Sequence, residues 1–193
     1  MGDPWRPTKR DLEAARDKRV NDVIAPGLQV LFCGINPGLY SGAVGHHFAR
    51  PGNRFWPALH ASGFTPELLG PFRERELLSF GLGITNLVNR TTARADELTD
   101  DELRSGGARL RRKVRRNRPT FVAVLGLSAY RIAFGRPGGG VGLQEEAMGD
   151  TRVWLLPNPS GLNAHYQLPD LAAAFAALRR AAAPAASPRP PSP

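Results

Sequence analysis

Four short, mostly apolar runs constrain this chain more than any other feature. Gln29–Gly34, Leu82–Val88, Phe121–Leu125 and Arg152–Leu156 lack the regular apolar–polar alternation of a strand with one wet face. Continuous runs of this length read as strands covered on both sides. Helical segments separate them. Asn53–Ser62 has Asn53 as its N-cap, Pro57 in the first turn and Gly63 as its stop. Thr99-Asp100-Asp101-Glu102 is a capping box that opens a helix to about Asn117, one that tolerates Gly106-Gly107. Asp170–Arg180 supplies the last helix, and a charged helix is expected near Asp11–Asp22. This alternation predicts an α/β fold, a three-layer sandwich with a central, mainly parallel sheet of four to five strands flanked by helices.

Parallel strands all end at one edge, and ligands bind at that carboxyl edge. Two of the runs end alike. Leu31–Leu39 reads LFCGINPGL and Val153–Leu162 reads VWLLPNPSGL, each an apolar strand followed by Asn-Pro and a glycine. Asn36 and the Asn158–Leu162 turn should therefore face one crevice despite their separation in sequence. Gly34 and Gly38 leave backbone N–H groups uncovered, and Pro37 stiffens the turn. Asn36 offers one acceptor and two donors. Its amide can orient a water or grip a base edge but cannot take a proton. The plainer role is an Asx bond that caps the turn.

Bulk properties narrow the function. The chain has 193 residues, enough for one ordinary domain, expected over residues 11–180 between a frayed segment 1–10 and a disordered Pro/Ala-rich tail 181–193. No apolar run approaches the roughly 20 residues of a membrane span. The amino terminus lacks the apolar stretch of a secretory signal. A cytoplasmic protein is expected, nucleoid-associated if bacterial, with no membrane partner. The single cysteine, Cys33, lies inside a strand run and reads as a reduced, buried hydrophobe. His46-His47 has no metal-ligand spacing, and the chain lacks a phosphate-loop or complete dinucleotide motif, so no metal and no cofactor are expected. Gly126–Tyr130, GLSAY, resembles a nucleophile elbow with His165 as a conceivable base, but its last glycine is missing; Ser128 reads better as a helix cap.

Net charge is +9, from 26 basic and 17 acidic residues. A field of that sign attracts polyanions, nucleic acid first. The run Arg109–Arg118 is either a solvated helix face or a phosphate contact. Phe55 and Trp56 belong to the core, whereas Phe48 sits outside any periodic element and suits a stacking platform for a planar ligand.

Four ordered motifs then carry a resemblance. GINPGL (Gly34–Leu39), FARPGNRFW (Phe48–Trp56), GITNLVNRTT (Gly83–Thr92) and LPNPSGL (Leu156–Leu162) resemble the mismatch-specific uracil/thymine-DNA glycosylases over about Ile24 to Arg180. The resemblance implies a DNA repair glycosylase that excises uracil, or thymine or a related modified base, from G mismatches in double-stranded DNA. It implies a monomer acting on a flipped nucleotide. Asn36 then positions water, and Phe48 stacks on the base. Backbone N–H groups near Ile35 and Phe48 stabilise the departing anion, and Ser41 and Asn86 line the base pocket. Ser160-Gly161-Leu162-Asn163 forms the insertion loop, with Leu162 as wedge and glycine admitting the loop close to DNA, and Asn158 joins these residues in binding DNA.

The chain departs from the family at several points. After Leu162 it reads Asn163-Ala164-His165 where a typical member has Ser-Arg, so Asn163 or His165 would replace a missing cation. Asn86 stands where some members have Lys. Asp96 adds a carboxylate that would serve as general base if its loop folded inward; the plainer role is a solvated surface carboxylate. The alternative is a lesion-binding module of the same fold without catalysis.

Overall fold

The computed structural model describes residues 6–183. Residues 1–5 of the expected frayed end and 184–193 of the expected tail lie outside the described residues. Five strands, β1 (Val30–Gly34), β2 (Leu82–Asn86), β3 (Phe121–Leu125), β4 (Gly142–Met148) and β5 (Thr151–Leu156), form one sheet in the order β2-β1-β3-β5-β4. All neighbours are parallel except β4, which pairs antiparallel with β5. The fold is the expected mainly parallel α/β sandwich. β4 did not stand out as an apolar run because it is an edge strand whose residues alternate between half-buried and exposed up to the buried Met148.

Helices α3 (Phe55–Ala61) and α6 (Leu168–Ala182) pack together on one face, and α4 (Asp100–Asn117) and α5 (Leu127–Phe134) on the other. Successive residues of β1 feed two separate cores. Val30 and Phe32 join Phe55, Leu59 and Phe175, while Leu31 and Cys33 join Leu110, Val114, Val122 and Tyr130. Both faces are dry, which is why the run has no alternation. Phe32 is the hub of the first core, stacked on Phe175 and edge-on to Phe55 and Phe64. Burial pushes the Cys33 thiol well above its ordinary range, so it stays a neutral packing group.

Several boundaries differ from expectation. The first helix, α1, spans Lys9–Ala14 rather than Asp11–Asp22, because Thr8 and Asp11 form a capping box that starts it early. The chain then turns through Asp17 at φ 61° and runs extended, bridging to Arg90 and Ile84. Residues 8–10, expected to fray, are thus capped and helical. The helix after Asn53 begins at Phe55; Asn53 still serves it, its Oδ1 accepting the Phe55 N–H at 2.9 Å. Ser128 is not a cap. Gly126, at φ 139°, opens α5 and leaves Ser128 within the first turn. α6 extends at both ends, and its last residues stay ordered because buried Ala182 accepts a hydrogen bond from Gln29. Gly106 and Gly107 are required rather than tolerated, since a Cβ on either would lie 2.6 Å or 2.5 Å from the carbonyl of Leu87 or Ala133. Besides β4, three elements had no clear sequence signal: the short α2 (Leu39–Val44), a 3-10 helix over Pro71–Phe80 and a 3-10 turn over Ala95–Glu97.

The chain leaves β1 for β2 on one side and returns to β3 on the other. The sheet order therefore reverses at the carboxyl ends of β1 and β3, where parallel-sheet folds open a crevice.

Candidate active site

A cleft of about 140 Å³ occupies that point. It is lined by Gly34–Gly38 after β1, Leu125 at the end of β3, Asn86 at the end of β2, and Asn158, Ser160 and Leu162 after β5. The two Asn-Pro turns thus share one wall-to-wall site.

Asn36 owes its orientation to groups distant in sequence. Its Nδ2 lies 2.7 Å from Thr92 Oγ1, 3.1 Å from the Arg90 carbonyl and 3.3 Å from the Pro37 carbonyl. Two of these partners are carbonyls and can only accept, so the atom facing them is the amide nitrogen. Thr92 spends its own proton on the Arg94 carbonyl and accepts from Asn36. Arg90 is braced in turn by Glu102 at 2.5 Å. No described residue donates to Asn36 Oδ1. The arrangement holds a carbonyl-type acceptor in a cleft wall with its donors already spent.

Asn86 is oriented through His47. It is 5% exposed and pairs in register with Gly34. Its Nδ2 lies 3.3 Å from His47 Nδ1, and His47 Nε2 lies 2.9 Å from the Asn21 carbonyl. That carbonyl requires a proton on Nε2. Burial is the main cause holding the His47 pKa below its ordinary value, against an opposing pull from the Glu74 carboxylate. The ring is then neutral, its Nδ1 accepts from Asn86, and Asn86 Oδ1 points the other way. A Cβ on Gly34 would sit 2.5 Å from that oxygen and 3.2 Å from the Phe48 ring. Gly34 is glycine because Asn86 and Phe48 converge over it.

Phe48 stacks on Phe55 with centroids 4.1 Å apart and turns another part of its ring to the cleft. It adopts φ 51°, a region that bulky residues avoid. Its neighbours hold it there. Buried Glu74 accepts the His47 N–H at 2.8 Å and pairs with His46 Nδ1 at 3.0 Å, while buried Ser41 accepts the Ala49 N–H at 3.1 Å.

The loop after β5 is braced by Arg54. Its guanidinium donates to the carbonyls of Ser160 (2.5 Å), Asn163 (2.8 Å) and Tyr166 (2.6 Å), and its own N–H reaches the Pro159 carbonyl at 2.9 Å. Asn158 Oδ1 accepts the Ser160 N–H, and Asn163 is consumed inside the loop, donating to the Asn158 carbonyl and accepting from His165 N–H. Leu162 is left 71% exposed on the cleft rim.

The structure therefore brings Ile35, Asn36, Ser41, Phe48, Asn86, Asn158, Ser160 and Leu162 to one cleft and leaves four expected residues outside it. Asp96 sits on a short 3-10 turn; Thr92–Ala95 just before it line the cleft, but the Asp96 carboxylate is 62% exposed, pairs with Arg94 and does not line it. Asn163 is an internal brace rather than a replacement cation. His165 is exposed beyond the loop. Gly161 does adjoin the rim, but its reason is internal: a Cβ there would lie 2.6 Å from the Gly52 carbonyl. Ser128 and His165 share no hydrogen bond among the described residues, and neither lines the cleft. The basic run Arg109–Arg118 lies on α4, away from the cleft.

Sequence reasoning missed Arg54, His47, Thr92 and Arg50. Arg50 is an exposed cation on the cleft rim, with no ion pair among the described residues. Three of the four lie inside or beside the motif that also holds Phe48, and Thr92 closes the Gly83–Thr92 motif. Position within a motif was the available signal; partners were not. No described helix is long and apolar enough to cross a membrane. The family model described as the uracil DNA glycosylase superfamily matches residues 22–181, a span that holds all five strands and every residue lining the cleft.

Proposed function

Because this chain belongs to the uracil DNA glycosylase superfamily, whose members are DNA-binding hydrolases of the base–sugar bond, we propose that its cleft excises uracil from G·U mismatches in duplex DNA, in the manner of the mismatch-specific branch. Thymine and related modified bases opposite guanine are the further candidates. The observation that carries this reading is the pairing of two unspent amide oxygens, on Asn36 and Asn86, with one aromatic ring in a single cleft.

The target nucleotide must leave the duplex to reach such a cleft. Leu162, exposed on the rim, fills the space the base vacates, and Arg50 offers charge to the adjacent phosphates. The extruded ring stacks against Phe48. Asn86 Oδ1 accepts the N–H at ring position 3 of uracil or thymine. Cytosine carries an acceptor at that position and would face the oxygen unpaired, a mismatch that costs binding.

The bond from C1′ to the base nitrogen then breaks, and its electron pair leaves with the base as an anion stabilised by nearby backbone donors. The sugar becomes oxocarbenium-like and needs little nucleophilic push. A water held by Asn36 Oδ1 adds its oxygen to C1′, and the surplus proton passes to solvent. With no carboxylate lining the cleft, positioning replaces deprotonation. We expect a slow, monofunctional enzyme that leaves an abasic site and works as a monomer without metal.

Duplexes carrying G·U, A·U or G·T, and single-stranded uracil DNA, would be incubated with the protein in EDTA and then treated with alkali. Alkali-labile breaks at G·U above all other substrates are expected. Intact strands from every duplex, despite retained DNA binding, would leave only a lesion-binding module.

A further inference from the structure

A second basic surface lies away from the cleft. A groove runs between α4 and the extended segment that covers the β2 edge; four cations, Arg109, Arg112, Lys113 and Arg116, line it together with one carboxylate, Asp22, and the uncharged Ile24, Pro26 and Asn117. It shares no residue with the cleft. The four cations recur at helical spacing along one face of α4, a stripe about 10 Å long at 1.5 Å per residue.

Their charges are unequally satisfied. Lys113 is neutralised by Asp22 at 2.6 Å and also donates to Thr85. Arg109 reaches only the Leu87 carbonyl, a neutral partner. Arg112 and Arg116 are exposed and have no ion pair among the described residues, as does their neighbour Arg115. Like charges three and four residues apart oppose helix formation. The same helix avoids this at its other end, where Arg104 pairs with Asp100 and Asp101. The helix C-terminus compensates part of the repulsion through its dipole, but that effect is confined to the last turn and does not reach Arg109 or Arg112. A cationic stripe left unpaired on an otherwise compensated helix is suited to an external polyanion.

We propose that this groove holds the phosphate backbone of a second DNA segment while the cleft engages the first. The groove follows the flank of the sheet, alongside β2, whereas the cleft opens across the carboxyl edge. α4 runs from beyond the carboxyl end of β2 back to the amino end of β3, so its last turns lie toward the sheet edge opposite the cleft. Such a protein can hold undamaged DNA while it tests or retains a lesion, and can pass between segments without full release. The proposal rests on the DNA binding of the superfamily and not on which base is excised.

The test uses the full chain and the variant R112Q/R116Q, whose glutamines replace the two unpaired groove cations and keep helix propensity and stem length. Protein saturated with an immobilised short G·U duplex is offered a labelled, undamaged duplex. The parent should retain the second duplex and the variant should not. R112K/R116K, which keeps the charge, should restore capture. The slope of log affinity against log salt for long undamaged DNA should fall by about 1.8 in the glutamine variant, at about 0.9 per lost phosphate contact. Single-turnover uracil release from the short duplex should stay within about twofold, because neither residue lines the cleft. Capture by the parent no greater than background, or equal capture by the glutamine variant, overturns the proposal. So does an equal loss of short-duplex affinity, which would place the groove on the duplex already in the cleft. Absence of uracil release with capture intact would sink the assigned activity alone.

Discussion

Asn36 and Asn158 follow two strands in the same Asn-Pro setting, yet their side chains are tied in opposite senses. Asn36 spends its nitrogen on Thr92 and two carbonyls and keeps its oxygen for the cleft. Asn158 spends its oxygen on the Ser160 N–H of its own loop. The first turn is held by groups some 55 residues away in sequence, as the 54- and 56-residue separations from Arg90 and Thr92 show. The second is a local loop anchored at a distance by one guanidinium, with an apolar side chain left on its crest. Two similar sequences thus produce a rigid acceptor and a braced projection. The difference is one of surroundings, and it matches the separate needs of positioning a water and filling a gap in a duplex.

The sharpest way to break this contrast is Asn36→Ala. Losing a positioned reactant should lower single-turnover uracil release by about a hundredfold while DNA affinity stays near that of the parent. Retention of the parental rate would move water handling elsewhere. Next in size is Arg54→Ala, which leaves the Ser160, Asn163 and Tyr166 carbonyls without their charged donor. It should cost about 2–3 kcal/mol of stability, read by denaturant unfolding, with faster amide exchange confined to residues 158–167. Uniform exchange along the chain would show that Arg54 serves the whole fold rather than the loop.

Leu162→Ala should reduce kcat/KM roughly tenfold through weaker flipping, with unfolding unchanged because the side chain is already 71% exposed. Fluorescence of 2-aminopurine beside the lesion separates flipping from chemistry. Unaltered cleavage of the duplex would remove the wedge from the scheme.

A smaller effect concerns the support beneath Asn86. His47 has a lowered folded-state pKa, so between that value and the ordinary 6.5 the unfolded chain binds more protons than the folded one. Stability from neutral His47 is full above pH 6.5 and declines as pH falls below it. His47→Gln should flatten that part of the pH–stability curve. An identical acid limb in both proteins would exclude His47 as its source. Last, Asp96→Asn should change the rate by less than about twofold, since its carboxylate is a solvent-exposed ion-pair partner. Loss of activity would restore the general base that the geometry leaves outside.

The sequence was most legible where a residue's role depends on its neighbours along the chain. Continuous apolar runs announced strands with two dry faces, and the Thr99–Glu102 capping box was found where α4 begins. β4 was missed because an exposed edge strand has no apolar run to announce it. The shared edge of Asn36 and Asn158 followed from strand direction alone. Gly106 and Gly107 could be seen as glycines within a helix, but not the backbone carbonyls that exclude a Cβ.

The amino-acid order by itself determined the layered sheet, the placement of both Asn-Pro turns at its carboxyl edge, and the family motifs. Local propensity and periodicity suffice for these, because each depends on a few consecutive residues. Only the tertiary structure decided which way each amide faces, that Asp96 points outward, and that Arg54 holds the loop after β5. Those outcomes depend on hydrogen-bond partners supplied by remote segments, Thr92 and Arg90 for Asn36 and the 160–166 carbonyls for Arg54. An amide or guanidinium carries the same letters in either orientation; the fold selects one by satisfying its donors.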